Sequence, residues 1–270
     1  MPRSGRGRIL GRKGGRKRQL QLDMAVAAIQ RRYGPGVLVK GKPVAEAGAA
    51  DVPCIPSGFP ALDRALGSGG LPKGRICELV GPATSGKTTL ALKFLAQAQA
   101  GGRAGSQVAY VDQALYFDPD YAYRCGLDLS RLLVGTTHDL QEALATTEAL
   151  VRSGSLAALV LEVLDFFWTD REAASLLAAT LNRLPPFLAR SGTTLLVLHE
   201  SPAGRSPALS VLAHCAAVRL QVSRESWLRC HGDVRGYEAR VEVLKNRLGP
   251  SGRAVTLAIE FNGTVHGVGL

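Results

Sequence analysis

Six short runs rich in apolar residues, Ile76–Val80, Gln107–Val111, Leu132–Val134, Ala157–Leu161, Thr193–Leu198 and Ala216–Val222, punctuate the middle of this chain. Each is too short for a stable helix and is bounded by turn or polar residues, a pattern that predicts buried strands. Between them, Thr88–Ala100, Pro119–Cys125, Leu140–Ser153 and Glu172–Ala189 repeat apolar positions at helical spacing. Strands alternating with helices predict an α/β fold: a mostly parallel twisted sheet flanked by helices. Farther on, Tyr237–Lys245, Val255–Glu260 and Thr264–Val268 follow one another across short turns, which predicts an antiparallel C-terminal extension.

The N-terminal part has a different pattern. Leu20, Leu22, Met24, Ala27, Ile29 and Tyr33 outline an amphipathic helix, and Gly36–Lys40 a short strand. A lone helix and strand cannot bury their apolar faces alone, so this element is expected to dock on the core or on a neighbouring subunit, across the Gly/Ala/Pro linker 41–51. The expected division is a disordered basic arm over 1–19, a helix–strand assembly element and linker over 20–50, and the α/β core over 51–270.

Charge sharpens the picture of the arm. Eight Lys and Arg residues fall within Met1–Arg18 with no acid among them, so most of the +11 formal charge sits there. Interleaved with glycine, these residues suit a phosphate backbone, with Arg12, Lys13, Arg16, Lys17 and Arg18 as the expected nucleic-acid contacts. A solubilising tail and an organelle-targeting peptide are the alternatives. With 46% hydrophobic residues in 270, the chain can bury a full core, and its longest apolar stretches are far too short to cross a bilayer. No apolar segment follows the basic start as a secretory signal requires, so a soluble, cytoplasmic protein without membrane contact is expected. The five cysteines form no C-x-x-C pair, which predicts reduced thiols rather than disulfides or zinc.

The candidate chemistry lies between the first strand and the first core helix. Gly81-Pro82-Ala83-Thr84-Ser85-Gly86-Lys87-Thr88 fits the phosphate-binding pattern G-x-x-x-x-G-K-[ST], in the strand–loop–helix context that pattern requires, and Thr89 continues into the helix. Gly81 and Gly86 allow backbone angles and close approaches that let successive N–H groups cradle phosphate oxygens. The helix N-terminus adds its positive dipole end, Lys87 reaches the outer phosphates, and the Thr88 hydroxyl ligates Mg²⁺. ATP and Mg²⁺ are the expected cofactors.

Three further stretches carry a resemblance. Ser57–Arg75 leads into the loop, Asp118-Pro119-Asp120-Tyr121-Ala122 follows the second strand, and Val241–Arg247 lies in the antiparallel extension. Together they resemble the bacterial RecA family, recombinases of homologous DNA repair, from about Leu22 to Gly263. The resemblance implies a RecA-type core, ATP held between protomers, and an N-terminal arm used in filament assembly. It implies that Asp118 and Tyr121 flank the adenine, and that Lys245 and Arg247 reach a nucleotide bound to the adjacent protomer. Asp118 is also open to a helix-capping role, and Lys245 and Arg247 to simple solvation at a strand end.

The departures from the family bear on catalysis. Ala114 stands where the resemblance puts the Glu that activates the attacking water, and an alanine accepts no proton. Glu162 takes the place of the Walker B aspartate, and His199-Glu200 that of an Asn-Gln pair that senses the γ-phosphate. Glu200 and Asp112 remain candidate substitutes as base. Lys87, Glu162 and Glu200 are the candidate catalytic residues, and Thr88 and Glu162 the candidate metal ligands. The two mobile DNA-binding loops of the family correspond to Phe166–Asp170 and Ser201–Pro207, both short, and the chain stops where the family continues into a small C-terminal domain.

The expectation is a RecA-like ATP-binding protein of DNA repair that binds single-stranded DNA or a recombinase-type protomer, with weakened hydrolysis. An active DNA-dependent strand-exchange ATPase and a non-enzymatic adaptor of translesion synthesis are the alternatives, with a helicase-like or clock-type ATPase behind them.

Overall fold

The structure, a computed structural model, describes residues 12–34, 37, 52–101, 106–200 and 206–267. The chain divides into two compact units, Met1–Ala47 and Gly48–Leu270. In the first, α1 (Arg12–Tyr33) begins well inside the stretch expected to be disordered. Arg, Lys, Gln and Leu are strong helix formers, and the Gly14-Gly15 pair costs only about 1 kcal/mol per residue, too little to stop the run. Leu20, Leu22 and Met24 are exposed along it. The expected strand Gly36–Lys40 and the linker after it lie outside the described residues, Val37 excepted.

The second unit contains, in chain order, β1 (Cys54–Ile55), α2 (Pro60–Leu66), β2 (Leu71–Pro72), β3 (Ile76–Val80), α3 (Lys87–Ala100), β4 (Gln107–Asp112) and α4 (Pro119–Arg124). Then follow β5 (Leu132–Thr136), α5 (Leu140–Ser153), β6 (Leu156–Glu162), α6 (Asp165–Thr169), α7 (Arg171–Arg183), α8 (Pro185–Ser191) and β7 (Thr194–His199). It closes with α9 (Pro207–Cys215), β8 (Val218–Cys230), β9 (Asp233–Asn246), β10 (Ala254–Glu260) and β11 (Val265–Gly267). Among the described residues, nine strands form one sheet in the order β11-β10-β9-β8-β3-β7-β6-β4-β5. The strands from β8 to β5 in that order run parallel, and β9, β10 and β11 add antiparallel, as the sequence pattern predicts. This is a RecA-type P-loop fold.

Every residue of β3 is buried, because helices cover both faces of the parallel part. One core packs Phe94 and Leu95 of α3 against Tyr110, Leu198 and Val241; the other packs Leu177, Leu188 and Trp168 against Leu159 and Val197. The chain leaves β3 through the phosphate loop, and β4 enters the sheet beyond β7 and β6. Such a switch in strand order opens a crevice at the carboxyl ends of the strands.

Three local expectations change. The helix expected over Glu172–Ala189 divides into α7 and α8, because Pro185 and Pro186 lack the N–H groups that a continuous helix needs. Phe166–Asp170, expected as a mobile loop, holds the short helix α6, with Trp168 fully buried and Phe166 exposed. The strand expected to stop at Val222 runs on to Cys230, and a tight turn returns it into β9: His231 (φ 51°) and Gly232 (φ 92°) supply the two left-handed residues such a hairpin requires. Residues 201–205 of the second expected loop lie outside the described residues, and Ser206-Pro207 caps and opens α9. Among the described residues no helix is long and apolar enough to cross a membrane.

Candidate nucleotide-binding site

The loop Gly81–Gly86 is pressed between β3, α3 and the antiparallel strands. A Cβ on Gly81 would lie 2.1 Å from the Val222 carbonyl oxygen on β8, so only glycine lets the loop start so close to that backbone. Gly86 has φ 104°, and a Cβ there would meet Ile259 Cδ1 at 2.7 Å and the Tyr237 hydroxyl at 3.1 Å. Thr84 at the loop tip is left-handed as well (φ 58°), a costly state for a β-branched residue that marks the loop as shaped for something other than its own stability. Ser85 Oγ is buried without a hydrogen-bond partner, and Gly86 offers no side-chain cap to the N-terminus of α3.

Unsatisfied donors around a glycine-bounded concavity fit a phosphate group. Lys87 is buried, and its ammonium donates to the carbonyls of Gly81 (2.6 Å) and Pro82 (2.8 Å), closing the loop on itself. Burial pulls its pKa down, while Glu200, Glu162 and Asp165 work in the opposite direction.

Those three carboxylates lie within electrostatic reach of Lys87. Glu162 ends β6 and accepts a 2.5 Å hydrogen bond from the Tyr110 hydroxyl, which also interacts with Thr88. Burial raises the Glu162 pKa, with neighbouring Asp112 and Glu200 adding to it against Tyr110 and Lys87. Asp165 at the start of α6 accepts from the Glu200 backbone N–H at 3.0 Å. Thr88 and Glu162, which both meet the Tyr110 hydroxyl, are hard oxygen donors of the kind Mg²⁺ takes.

Two of the candidate groups are committed elsewhere. Asp112 is fully buried and accepts from the N–H groups of Ala114, Leu115 and Phe117 at 2.8 to 3.0 Å, so its carboxylate is engaged in pinning the turn after β4. Ala114 occupies that turn with a methyl group. His199 points into the sheet: Nε2 lies 3.1 Å from Glu78 Oε1, Nδ1 contacts the Glu200 carbonyl, and the ring sits against Trp168. Arg219 donates to both Glu78 oxygens at 2.6 and 2.9 Å. Burial opposes the Glu78 charge, but the bonds from His199 and Arg219 outweigh it and hold that carboxyl below its usual value.

Residues expected on the nucleoside side divide into two groups. Asp118 caps α4 by accepting from the Tyr121 N–H at 3.0 Å, and the Tyr121 hydroxyl meets Thr89 Oγ1 at 2.8 Å, so this tyrosine stands beside the first turn of α3. Desolvation first of all raises the Tyr121 pKa to about 12. Lys245 and Arg247 do not join the loop of their own protomer. Lys245 bonds the Ala213 (2.6 Å) and His214 (3.1 Å) carbonyls and Arg247 the His214 carbonyl, so both cap the negative end of α9. The backbone of Arg12, Lys13, Arg16 and Lys17 is helical, and Arg18 is exposed on α1.

Sequence reasoning passed over Tyr237, which packs against Gly86, and the ring cluster it forms with Trp227 and Phe261 at centroid distances of 6.3 to 6.5 Å. It also passed over Arg224, which bonds Thr84. No motif marks these residues, since pairing between distant strands brings them to the loop.

The comparisons agree with this geometry. Residues 20–173 match the RecA N-terminal domain. The chain is 34% identical to protein RecA of Rubrobacter xylanophilus over 89% of its length and 74% of the relative's. It is 31% identical to protein RecA of Ruminococcus albus over 92% of its length and 66% of the relative's, just under two thirds of that protein. Among solved structures, that of RadB recombinase superposes with a TM-score of 0.63 at 21% identity, covering 80% of this chain and 100% of the other. With its phosphate loop, sheet order and antiparallel extension, this chain belongs to the RecA family as a divergent member.

Proposed function

We propose that this protein binds ATP with Mg²⁺ on Gly81–Thr88, turns it over slowly, and uses the bound nucleotide to hold protomers together on DNA. The observation that carries the reading is the pairing of an intact phosphate cradle with a missing water activator. Ser85 Oγ and the uncapped start of α3 await an oxygen-rich ligand, whereas the turn that would hold a base presents only the Ala114 methyl. Phosphoryl transfer is catalysed mainly by positioning and charge, so loss of that base costs turnover far more than affinity.

On nucleotide arrival Lys87 exchanges the Gly81 and Pro82 carbonyls for phosphate oxygens, which removes part of its desolvation cost. Thr88 and Glu162 would hold the metal, which supplies charge neutralisation between the phosphates. Glu200, near Lys87 and Glu162, is the remaining candidate base. His199 is held by Glu78 at 3.1 Å.

Assembly is supported by two exposed features. The apolar residues Leu20, Leu22 and Met24 of α1 are uncovered, and β5 ends the sheet with Leu133 and Val134 exposed on an edge open to an added strand. ATP bound between protomers favours the assembled state by mass action whether or not it is hydrolysed. A curated relative is named protein RecA and a structural neighbour RadB recombinase, which supports a place in DNA recombination, and single-stranded DNA is the ligand we propose. Arg12 to Arg18 would supply the backbone affinity.

The test is to measure ATP affinity and ATP turnover separately, with and without single-stranded DNA, in the wild type and in Lys87→Ala. Tight binding, negligible turnover and loss of binding in the variant are expected; rapid DNA-stimulated turnover sinks the proposal.

A further inference from the structure

β8 carries an irregularity that changes which side chains face the phosphate loop. Arg224 pairs with Ala239 and Ser226 with Glu238, so Glu225 is an extra residue bulged out of the β8–β9 ladder. In a regular strand, residues three apart point to opposite faces. The bulge brings Arg224 and Trp227 onto one face, and the Arg224 guanidinium stacks 4.3 Å from the centre of the Trp227 ring. Trp227 is held in turn by Tyr237 and Phe261, and Tyr237 packs against Gly86. From this perch Arg224 Nη1 reaches Thr84 Oγ1 at 3.3 Å, at the left-handed tip of the loop. Two residues earlier on the same strand, the Val222 carbonyl lies against Gly81, so β8 follows the loop from its start to its tip.

The charges around the loop are unevenly arranged. Glu162, Asp165 and Glu200 act on Lys87, while Arg224 is at the tip. A guanidinium carries five N–H donors in a planar fork suited to phosphate oxygens, and the Thr84 bond engages little of it. Stacking on Trp227 restricts the side chain and lowers the entropy lost on gripping a ligand.

We propose that Arg224, aimed by the Glu225 bulge and braced on Trp227, is a phosphate-binding residue supplied in cis, which grips the outer phosphate at the loop tip and makes the site prefer a nucleoside triphosphate to a diphosphate. The proposal rests on reading Gly81–Thr88 as the nucleotide site.

The test is equilibrium binding of Mg²⁺–ATP and Mg²⁺–ADP, by displacement of a fluorescent nucleotide, to the full chain and to Arg224→Ala, Arg224→Lys, Trp227→Ala and Lys87→Ala. Arg224→Ala is expected to weaken ATP about 10-fold and ADP less than about 2-fold, the scale of one charge-assisted hydrogen bond. Arg224→Lys recovers little of the loss, since an ammonium has neither the fork nor the stacking, and Trp227→Ala falls between wild type and Arg224→Ala. Equal losses for ATP and ADP, or no loss in Arg224→Ala while Lys87→Ala abolishes binding, overturn the role of Arg224 and leave the site standing. If Lys87→Ala binds both nucleotides normally, the site itself is wrong.

Discussion

Gly86 and Lys87 set the properties of the loop through opposite requirements. Lys87 needs enclosure: its buried ammonium is satisfied by the Gly81 and Pro82 carbonyls until phosphate replaces them. Removing it in Lys87→Ala is expected to weaken ATP about 100-fold, the scale of a buried charge-assisted contact, in a binding titration. Gly86 needs the absence of a side chain, so Gly86→Ala must displace Ile259 and Tyr237 and should weaken ATP while thermal unfolding stays cooperative. Glu78 is a structural carboxylate, 1% exposed and bonded to His199 and Arg219. Glu78→Gln leaves Arg219 without its buried anion and should cost about 3 kcal/mol in denaturant unfolding at neutral pH. Because the folded-state pKa of Glu78 lies below its ordinary 4.5, its stabilisation is complete above 4.5 and is lost as pH falls through the depressed value. The wild type and Glu78→Gln should therefore converge only in that acid range. Glu162 shifts the other way, so metal-dependent strengthening of ATP binding should begin to fall, on acidification, at a higher pH than an ordinary carboxylate would give.

At the scale of elements, the apolar runs marked β3, β4, β6 and β7 to within a residue at each end, because strands buried on both faces need continuous apolar sequence. The hairpin β8–β9 was harder to see: beyond Val222 its residues are mostly exposed or partly exposed, and no apolar run signals a strand held by pairing alone. The phosphate loop was legible because local sequence makes it. The Glu78–His199–Arg219 cluster and the Arg224–Thr84 contact were not, since β7 and β8 reach β3 and its loop from more than a hundred residues away, and the Arg224–Trp227 stack depends on a bulge that no local pattern marks. Helix α6 divides its aromatic residues between core and surface. Trp168 is fully enclosed against His199, and only Phe166 of the cluster is well exposed, so Trp168→Ala should cost about 4 kcal/mol by thermal or denaturant unfolding.

For the whole molecule, the basic N-terminal region and the family core predict separable contributions to DNA binding. Deleting 1–18 removes eight of the protein's cations, and the slope of log affinity against log salt on single-stranded DNA should become shallower by about 0.7 for each phosphate that the arm no longer neutralises. ATP affinity should be unchanged in that deletion. Removal of 1–50 also takes away the apolar face of α1, and the ATP-dependent assembly read by light scattering should disappear.

If this RecA-family site holds ATP but lacks the group that drives its hydrolysis, as proposed, turnover of bound ATP should differ between the wild type and Ala114→Glu. Both are measured on single-stranded DNA at saturating nucleotide. Turnover should be slow in the wild type and rise about 100-fold when a carboxylate is placed at position 114, with ATP affinity little changed. Rapid DNA-stimulated hydrolysis by the wild type, abolished in Lys87→Ala and not increased in Ala114→Glu, would contradict the proposal.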